Sequence, residues 1–578
     1  MRTIENPTIP ELFERSSGII HERAQALMDS DWPGIMRTVL LELMPAEELG
    51  KTMSERWGRP SKELYAMAGL IFLAEAFGWT HQEAVEKFIF DMRVQYALNI
   101  GHFNQYLCER TYENRLRDFR ESALAQDVFD SVARRLVQAF DINIKKQRLD
   151  STHVFSNMAR FGRTKLMAET IRRFVRKLAK VFPDQYEALP SAVRERYTQS
   201  DAQLFGMGGS RKKGDELGRL RLQIAEDMYQ LIALFENNQA IVALAGYAAL
   251  VRIFHEQCVV DADTVALAAK PDSWCMQNPS DPDATYDGHK GPGYQAQIAE
   301  TFGAENEVNF ITAVIAETAA DQDVDALVPI VEQLTSRGMT PDMLLADTLY
   351  GSDENVLAAQ QRDVELVAPT PGRKPRAGDA QQAPTSVTEF SLDETTQEAL
   401  CCPQGQRPQT TKYDPDSGEH TAVFDADKCR QCAKRHQCPT SIKKSKAALR
   451  YTDKDIRLEK RRAHEQSTAF RDIYRCRAGI EGTMSALKRR LGLGRLRVRG
   501  KTAVDTAIYL KATGYNMLQA VKMLKRRKNG GLASVQCRII AIYLDGVDAM
   551  RRLWRLWHRK WREKQVAEAC WKNYAIAA

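Results

Sequence analysis

Four side chains in the stretch YRCRAGIEGTMSALKRR are chemically complementary: Tyr474, Arg477, Glu481 and Lys488. On a continuous α-helix, at about 100° per residue, their directions fall within an arc of roughly 60°. One face then carries a phenol, two cations and a carboxylate, a set suited to handling phosphates. Arg477 offers a bidentate fork and Lys488 a point charge for phosphate oxygens, while Tyr474 can donate a hydrogen bond or stack. The plainer reading of the same face is a surface ion-pair ladder.

Phosphodiester chemistry would ask more of the chain. Two divalent ions about 3.5–4 Å apart activate the attacking oxygen and stabilise the leaving one. Oxygen-ligating Mg²⁺ needs carboxylates from separate elements to hold that geometry. Asp150 in RLDST and Asp347 in LLADTLYGSDEN join Glu481 as the candidate ligands, one on a first strand, one at the carboxyl end of a later strand, one on a late helix. Three carboxylates in one place repel each other unless a cation is present, so metal dependence follows. Asp342, Asp353 and Glu354 are rival acids, but Asp342 precedes the strand and the other two open the next helix.

The spacing Tyr-x2-Arg-x3-Glu-x6-Lys resembles, without departure, the box around the third acidic residue of bacterial insertion-sequence DDE transposases. The resemblance runs from about Gly58 to Ala520. It implies a ribonuclease-H-like catalytic core in which the first Asp lies on the first strand, the second follows the fourth strand and the Glu comes from a helix after an insertion. It also implies Mg²⁺ or Mn²⁺, two per active site, and double-stranded DNA as partner. The implied activity is binding of an element's terminal inverted repeats, cutting at the 3′ ends and joining the freed hydroxyls to target DNA, with a homodimer handling both ends. Tyr474, Arg477 and Lys488 would then lie beside the cleaved bond. The phrase DPDATYDGHKGPGYQAQIAE (281–300) resembles the same group, and its His289 and Lys290, flanked by glycines, would approach a phosphate. The alternatives are a catalytically silent or domesticated relative that holds DNA without cutting, and a general ribonuclease-H-like nuclease with no preference for particular repeats.

The elements that must position these residues read as an α/β fold. Residues 1–140 are helical in pattern, with LYAMAGLIFLAEAF (64–77), a Gly78-Trp79-Thr80 turn and HQEAVEKFIFD (81–91) suiting a helix-turn-helix DNA-binding domain with Thr80 as N-cap. A catalytic domain follows in three pieces, 141–156, 271–370 and 455–525, as a mixed sheet flanked by helices. Its order is β, a long helical insertion (157–270), two antiparallel strands, then α, β, α, β, with Asp150 and Asp347 on neighbouring strands. A Pro- and Gly-rich linker opens a second insertion, 371–454, rich in cysteine.

That insertion carries CCPQGQ (401–406) and CRQCAKRHQC (429–438). Cys402, Cys429, Cys432 and Cys438 can supply a tetrahedral structural Zn²⁺ site, with Cys401 and His436 as competing ligands. The remaining cysteines are scattered singly, which argues for reduced thiols.

Charge is uneven. The net charge is +7, yet from Lys488 to Lys564 there are 21 Lys or Arg against 4 Asp or Glu, a concentration suited to phosphate neutralisation. The last region, 526–578, includes MRRLWRLWHRKWREK (550–564), where Arg551, Arg552 and Arg555 would bind DNA backbone while the tryptophans dock on protein; a membrane-surface helix is the competing reading. No uncharged apolar run reaches the ~20 residues that span a bilayer. The opening MRTIENPTIPELFERSS lacks a basic region followed by an apolar stretch, so no secretory leader is expected and a bacterial, nucleoid-associated cytoplasmic location follows.

Overall fold

The computed structural model describes residues 1–4, 21–100, 106–206, 212–262, 264–372, 385–443 and 445–526. The basic helix expected over 550–564, with Arg551, Arg552 and Arg555, lies outside the described residues.

The central sheet is built from β1 (Lys146–Val154), β2 (Gly291–Thr301), β3 (Ile311–Thr318), β4 (Met343–Leu345) and β5 (Glu365–Val367), in the order β3-β2-β1-β4-β5, with a short sixth strand, Thr285–Asp287, antiparallel to the start of β2. β1 runs antiparallel to β2 and parallel to β4, which in turn runs parallel to β5. This mixed α/β arrangement is compatible with a ribonuclease-H-like fold. β2 is flanked by strands on both sides and buried on both faces from Gly293 to Thr301. Its polar alternation, Gln295, Gln297 and Glu300, therefore faces partners inside the protein instead of water, because a buried amide or carboxylate without one is costly.

The N-terminal helices pack directly on this sheet. Chief among them are α1 (Leu64–Phe77), α2 (His81–Phe90) and α3 (Leu124–Ala139). α1 is apolar nearly all round and correspondingly buried, and it ends at Gly78 in the left-handed conformation (φ 69°). Thr80 then caps α2 in a capping box with Glu83. One hydrophobic core runs without a break from Ile35 through α1, α3 and the sheet to Leu524. The helices between β1 and β2, including α4 (Arg163–Val181), α5 (Gly214–Phe235) and α6 (Ala245–Gln257), share a separate core, centred on Phe174 and Phe235. A third core lies around Phe390, Phe424 and Leu449 beneath a four-stranded antiparallel sheet.

The late helices cover the carboxyl ends of β1 and β4. They are α7 (Asp453–His464), α8 (Thr468–Tyr474), a 3₁₀ segment (Arg475–Gly479), α9 (Ile480–Arg490) and α10 (Lys501–Arg526). The continuous helix assumed for the Tyr/Arg/Glu/Lys face is thus broken by the 3₁₀ segment, which winds more tightly between Tyr474 and Glu481; Ser467, accepting from the Phe470 amide, caps the helix that ends at Tyr474. α10 is locked onto the sheet by Asn516, whose amide bonds both the N–H (2.8 Å) and the C=O (2.7 Å) of Ile311. Gly514 lets α10 approach α1 closely, since a Cβ there would stand 2.6 Å from that of Ala76.

Candidate active site

Parallel register brings two of the predicted acids to the same level. Arg148 on β1 is paired with Leu345, the last residue of β4; two residues further on lie Asp150, still within β1, and Asp347, just past the end of β4. Asp347 also accepts the Leu349 amide at 2.9 Å, capping the turn that follows β4. Arg477 reaches both carboxylates from the 3₁₀ segment above, at 2.9 Å from Asp150 and 3.9 Å from Asp347. Burial raises the Asp150 carboxyl above its ordinary range; Arg477 and the Ser151 amide oppose this, and Asp347 and Asp323 add to it.

Tyr474 faces the same place. Its phenol is raised by burial against the pull of Arg477, with Asp347 and Asp150 contributing, and its ring stacks on Phe470 at 5.5 Å. Phe470 in turn packs on the Phe302, Leu345 and Val367 cluster at the sheet edge. Lys488 approaches from α9: desolvation and then the Lys290 ammonium hold it below its usual value, with Asp150 opposing. Lys290 is presented by a tight hairpin in which Asp287 accepts the amides of His289 (2.7 Å) and Lys290 (2.6 Å). The His289 side chain is exposed.

Glu481 is exposed in the first turn of α9 and makes no hydrogen bond or ion pair with a described residue. Among the described residues, no three His, Cys, Asp or Glu side chains are grouped so as to hold a metal ion. The structure therefore brings Asp150, Asp347, Arg477, Tyr474, Lys488 and Lys290 to one edge, with a guanidinium as the cation between the two aspartates. The donor chemistry, carboxylate oxygens on separate elements, fits a hard divalent ion.

Sequence reasoning missed what supports this edge. Arg148 shares a β1 face with Asp150 and donates to Glu300 at 2.7 Å and to the Cys476 carbonyl at 2.6 Å. Thr483 of α9 donates to the other Glu300 oxygen at 2.5 Å. Glu300 is fully buried, and burial raises its carboxyl despite these partners. Gly479 is the close-approach point: a Cβ there would stand 2.0 Å from Arg148 Nη1. Asp323 was also passed over. It accepts from Ser151 Oγ at 3.0 Å and from the Gln297 amide at 2.9 Å, and Tyr350 donates to Gln297. The readable signal was Gln297 itself, a polar residue in a strand flanked on both sides.

One comparison with known families bears on this segment. Residues 401–521 match the family described as Transposase DDE domain. The DDE-domain match contains Tyr474, Arg477, Glu481, Lys488 and the paired cysteines, ends at residue 521 and does not reach back to Asp150 or Asp347. It supports a DDE transposase. No curated protein matches the chain significantly. One solved structure, a piggyBac transposase synaptic complex with hairpin DNA, aligns at 9% identity and a TM-score of 0.22, over 66% of this chain and 70% of that one. So loose a superposition carries no argument.

Within the DDE-domain match, Cys402, Cys429, Cys432 and Cys438 line one cavity of about 290 Å³. Burial, then the thiols of Cys438, Cys402 and Cys432, push the Cys429 thiol up. Four thiols within one another's field, sharing a small core, suit a soft divalent cation chemically, although they are not drawn together to ligand spacing. Cys401 and His436 do not line that cavity.

Proposed function

We propose that this chain is an insertion-sequence DDE transposase that binds terminal inverted repeats and catalyses metal-dependent DNA strand cleavage and strand transfer. The observation that carries this reading is the β1–β4 register, which sets Asp150 and Asp347 side by side beneath the segment bearing Arg477 and Glu481. Asp150, Asp347 and Glu481 would hold Mg²⁺ or Mn²⁺, whose role is to polarise the phosphate and to stabilise the attacking and leaving oxygens. Arg477, Lys488 and Lys290 bind the phosphates flanking the cut, and Tyr474 orients the strand. Water is the first nucleophile and the freed 3′-hydroxyl the second. Cys402, Cys429, Cys432 and Cys438 hold a structural zinc ion. A homodimer on DNA, in the bacterial nucleoid, completes the reading.

The test is cleavage of labelled duplex carrying the element's ends, with Mg²⁺ or Mn²⁺, by the wild type and by Asp150→Asn, Asp347→Asn and Glu481→Gln. Each variant is expected to abolish cleavage while still binding the duplex. Undiminished cleavage by Glu481→Gln would remove that residue from the mechanism. Equal cleavage of scrambled duplex would favour a general nuclease. The isolation of Glu481 from the two aspartates favours one second reading, a DNA-binding relative that does not cut, and no cleavage by the wild type would support it.

A further inference from the structure

The segment 489–499, RRLGLGRLRVR, is consumed by none of the roles above, yet it is the most basic stretch adjoining the acidic edge. Its arginines Arg489, Arg490, Arg495, Arg497 and Arg499 are exposed, and none makes a side-chain hydrogen bond or ion pair with a described residue. By contrast, Arg172, Arg196, Arg252 and Arg457 each meet a carboxylate within 4.0 Å. The segment is nevertheless fixed. Leu491, Leu493 and Leu496 are buried, and the backbone runs parallel beside the end of β1. The Phe155 amide donates to Gly494, Leu496 donates back to Phe155 at 2.8 Å, and Asn157 donates to Val498 at 2.7 Å.

Around the single parallel bridge at Arg495, Leu496 and Val498 pack on the core while Arg495, Arg497 and Arg499 are exposed. Two residues of chain reach at most about 7 Å, on the order of the separation of successive phosphates along one strand, so alternate arginines can meet successive phosphates. The row starts next to Lys488, which feels both Asp150 and Lys290. It continues into a cleft of about 790 Å³, where Arg489, Arg490, Arg495 and Arg497 form one wall and Trp79 and His81, at the start of α2, form part of the other. The cleft is also lined by Glu75, Glu109, Glu113, Arg120 and Lys511, of which Glu75 is paired with Arg120 and Lys511, whereas the four arginines of the segment have no ion-pair partner among the described residues.

We infer that 489–499 is a preformed phosphate track that holds the backbone of duplex DNA leading away from the acidic edge, past the cleft at the N-terminal helices. The ligand is sequence-independent: guanidinium forks on a rigid backbone read phosphate oxygens, with no base-edge donor set among them. The inference rests on the transposase reading for which DNA is held, though not for the contact itself.

The experiment is a salt series of equilibrium binding between the full chain and a labelled duplex of arbitrary sequence. Each neutralised phosphate contributes about 0.9 to the slope of log K against log salt, so Arg495→Gln/Arg497→Gln/Arg499→Gln should lower the slope by roughly 2.7. The matching triple lysine variant, which keeps the charge, should retain the wild-type slope. An unchanged slope in the glutamine variant, or an equal loss in the lysine variant, overturns the track, as would tight binding that an acidic peptide competes for and free duplex does not. Slope loss in a chain that never cleaves DNA sinks the transposase reading and leaves the track standing. An unchanged slope with intact cleavage does the reverse.

Discussion

Arg477 donates to Asp150 across 2.9 Å from a segment 327 residues away, and the same guanidinium nitrogen stands 3.9 Å from Asp347. It supplies positive charge where two carboxylates at the ends of parallel strands would otherwise repel. Burial still outweighs it at Asp150, whose carboxyl is raised. The folded state thus binds this proton more tightly than the unfolded chain. Stability from it is full below the unfolded value of about 3.9 and is lost as pH rises through the folded one. Asp150→Asn should therefore melt higher than wild type near neutral pH, with the gain shrinking towards about pH 4. A gain of the same size at every pH would contradict this account.

Arg148 and Glu300 form a buried pair that carries the active segment on its back, through the Cys476 carbonyl and Thr483. Arg148→Met leaves Glu300 buried without its cation and should cost about 3–5 kcal/mol in urea unfolding, as broken buried pairs do. Arg148→Met/Glu300→Met should recover most of that loss without restoring cleavage, because the Cys476 carbonyl is still released. Full recovery of cleavage in the double variant would show that the pair does not position the segment.

His153, on β1 beyond Asp150, is buried, and neither ring nitrogen makes an ordinary hydrogen bond. Burial lowers its pKa to about 4, with Lys290 and Lys488 adding to the effect and the Pro292 carbonyl and Asp287 opposing it. The unfolded chain takes up a proton near pH 6.5 that the folded state refuses, so stability falls with pH between about 6.5 and 4, by at most about 1.4 kcal/mol per pH unit. His153→Phe should keep the edge contact with Phe155, seen at 4.4 Å, and flatten that part of the stability–pH curve. An unaltered curve would reassign the acid sensitivity elsewhere.

Zinc at Cys402, Cys429, Cys432 and Cys438 would convert mutually opposed thiols into ligands and release protons on binding. Purified protein should contain about one Zn²⁺ per chain by elemental analysis, as a closed four-cysteine site requires. Cys429→Ser should lower that content and the melting temperature together, and a chelator should then have little further effect. Protein free of zinc, melting alike with and without chelator, would rule the site out.

Much of this architecture was readable locally. Thr80 and Gly78 marked the α1–α2 turn, alternation marked β2 and β3, and the element order placed Asp150 and Asp347 on neighbouring strands, which adjoin, although Asp347 falls just past the end of its own. The Ser467 cap that separates α7 from α8 was equally visible, three residues before Phe470, whereas nothing local marked the 3₁₀ segment between Tyr474 and Glu481.

Residue types, their periodicity and their caps are properties of neighbouring positions, so the sequence alone marked most of the strands and helices and named the side chains whose chemistry suits a phosphate. Partners separated by hundreds of residues are chosen by packing. Arg148 against Gly479, Arg477 between two aspartates, Lys290 beside Lys488 and the N-terminal helices sharing the core of the sheet were decided only when the chain closed on itself. The reason is physical: a buried charge accepts whatever partner the folded backbone delivers, and no local pattern records which one that will be.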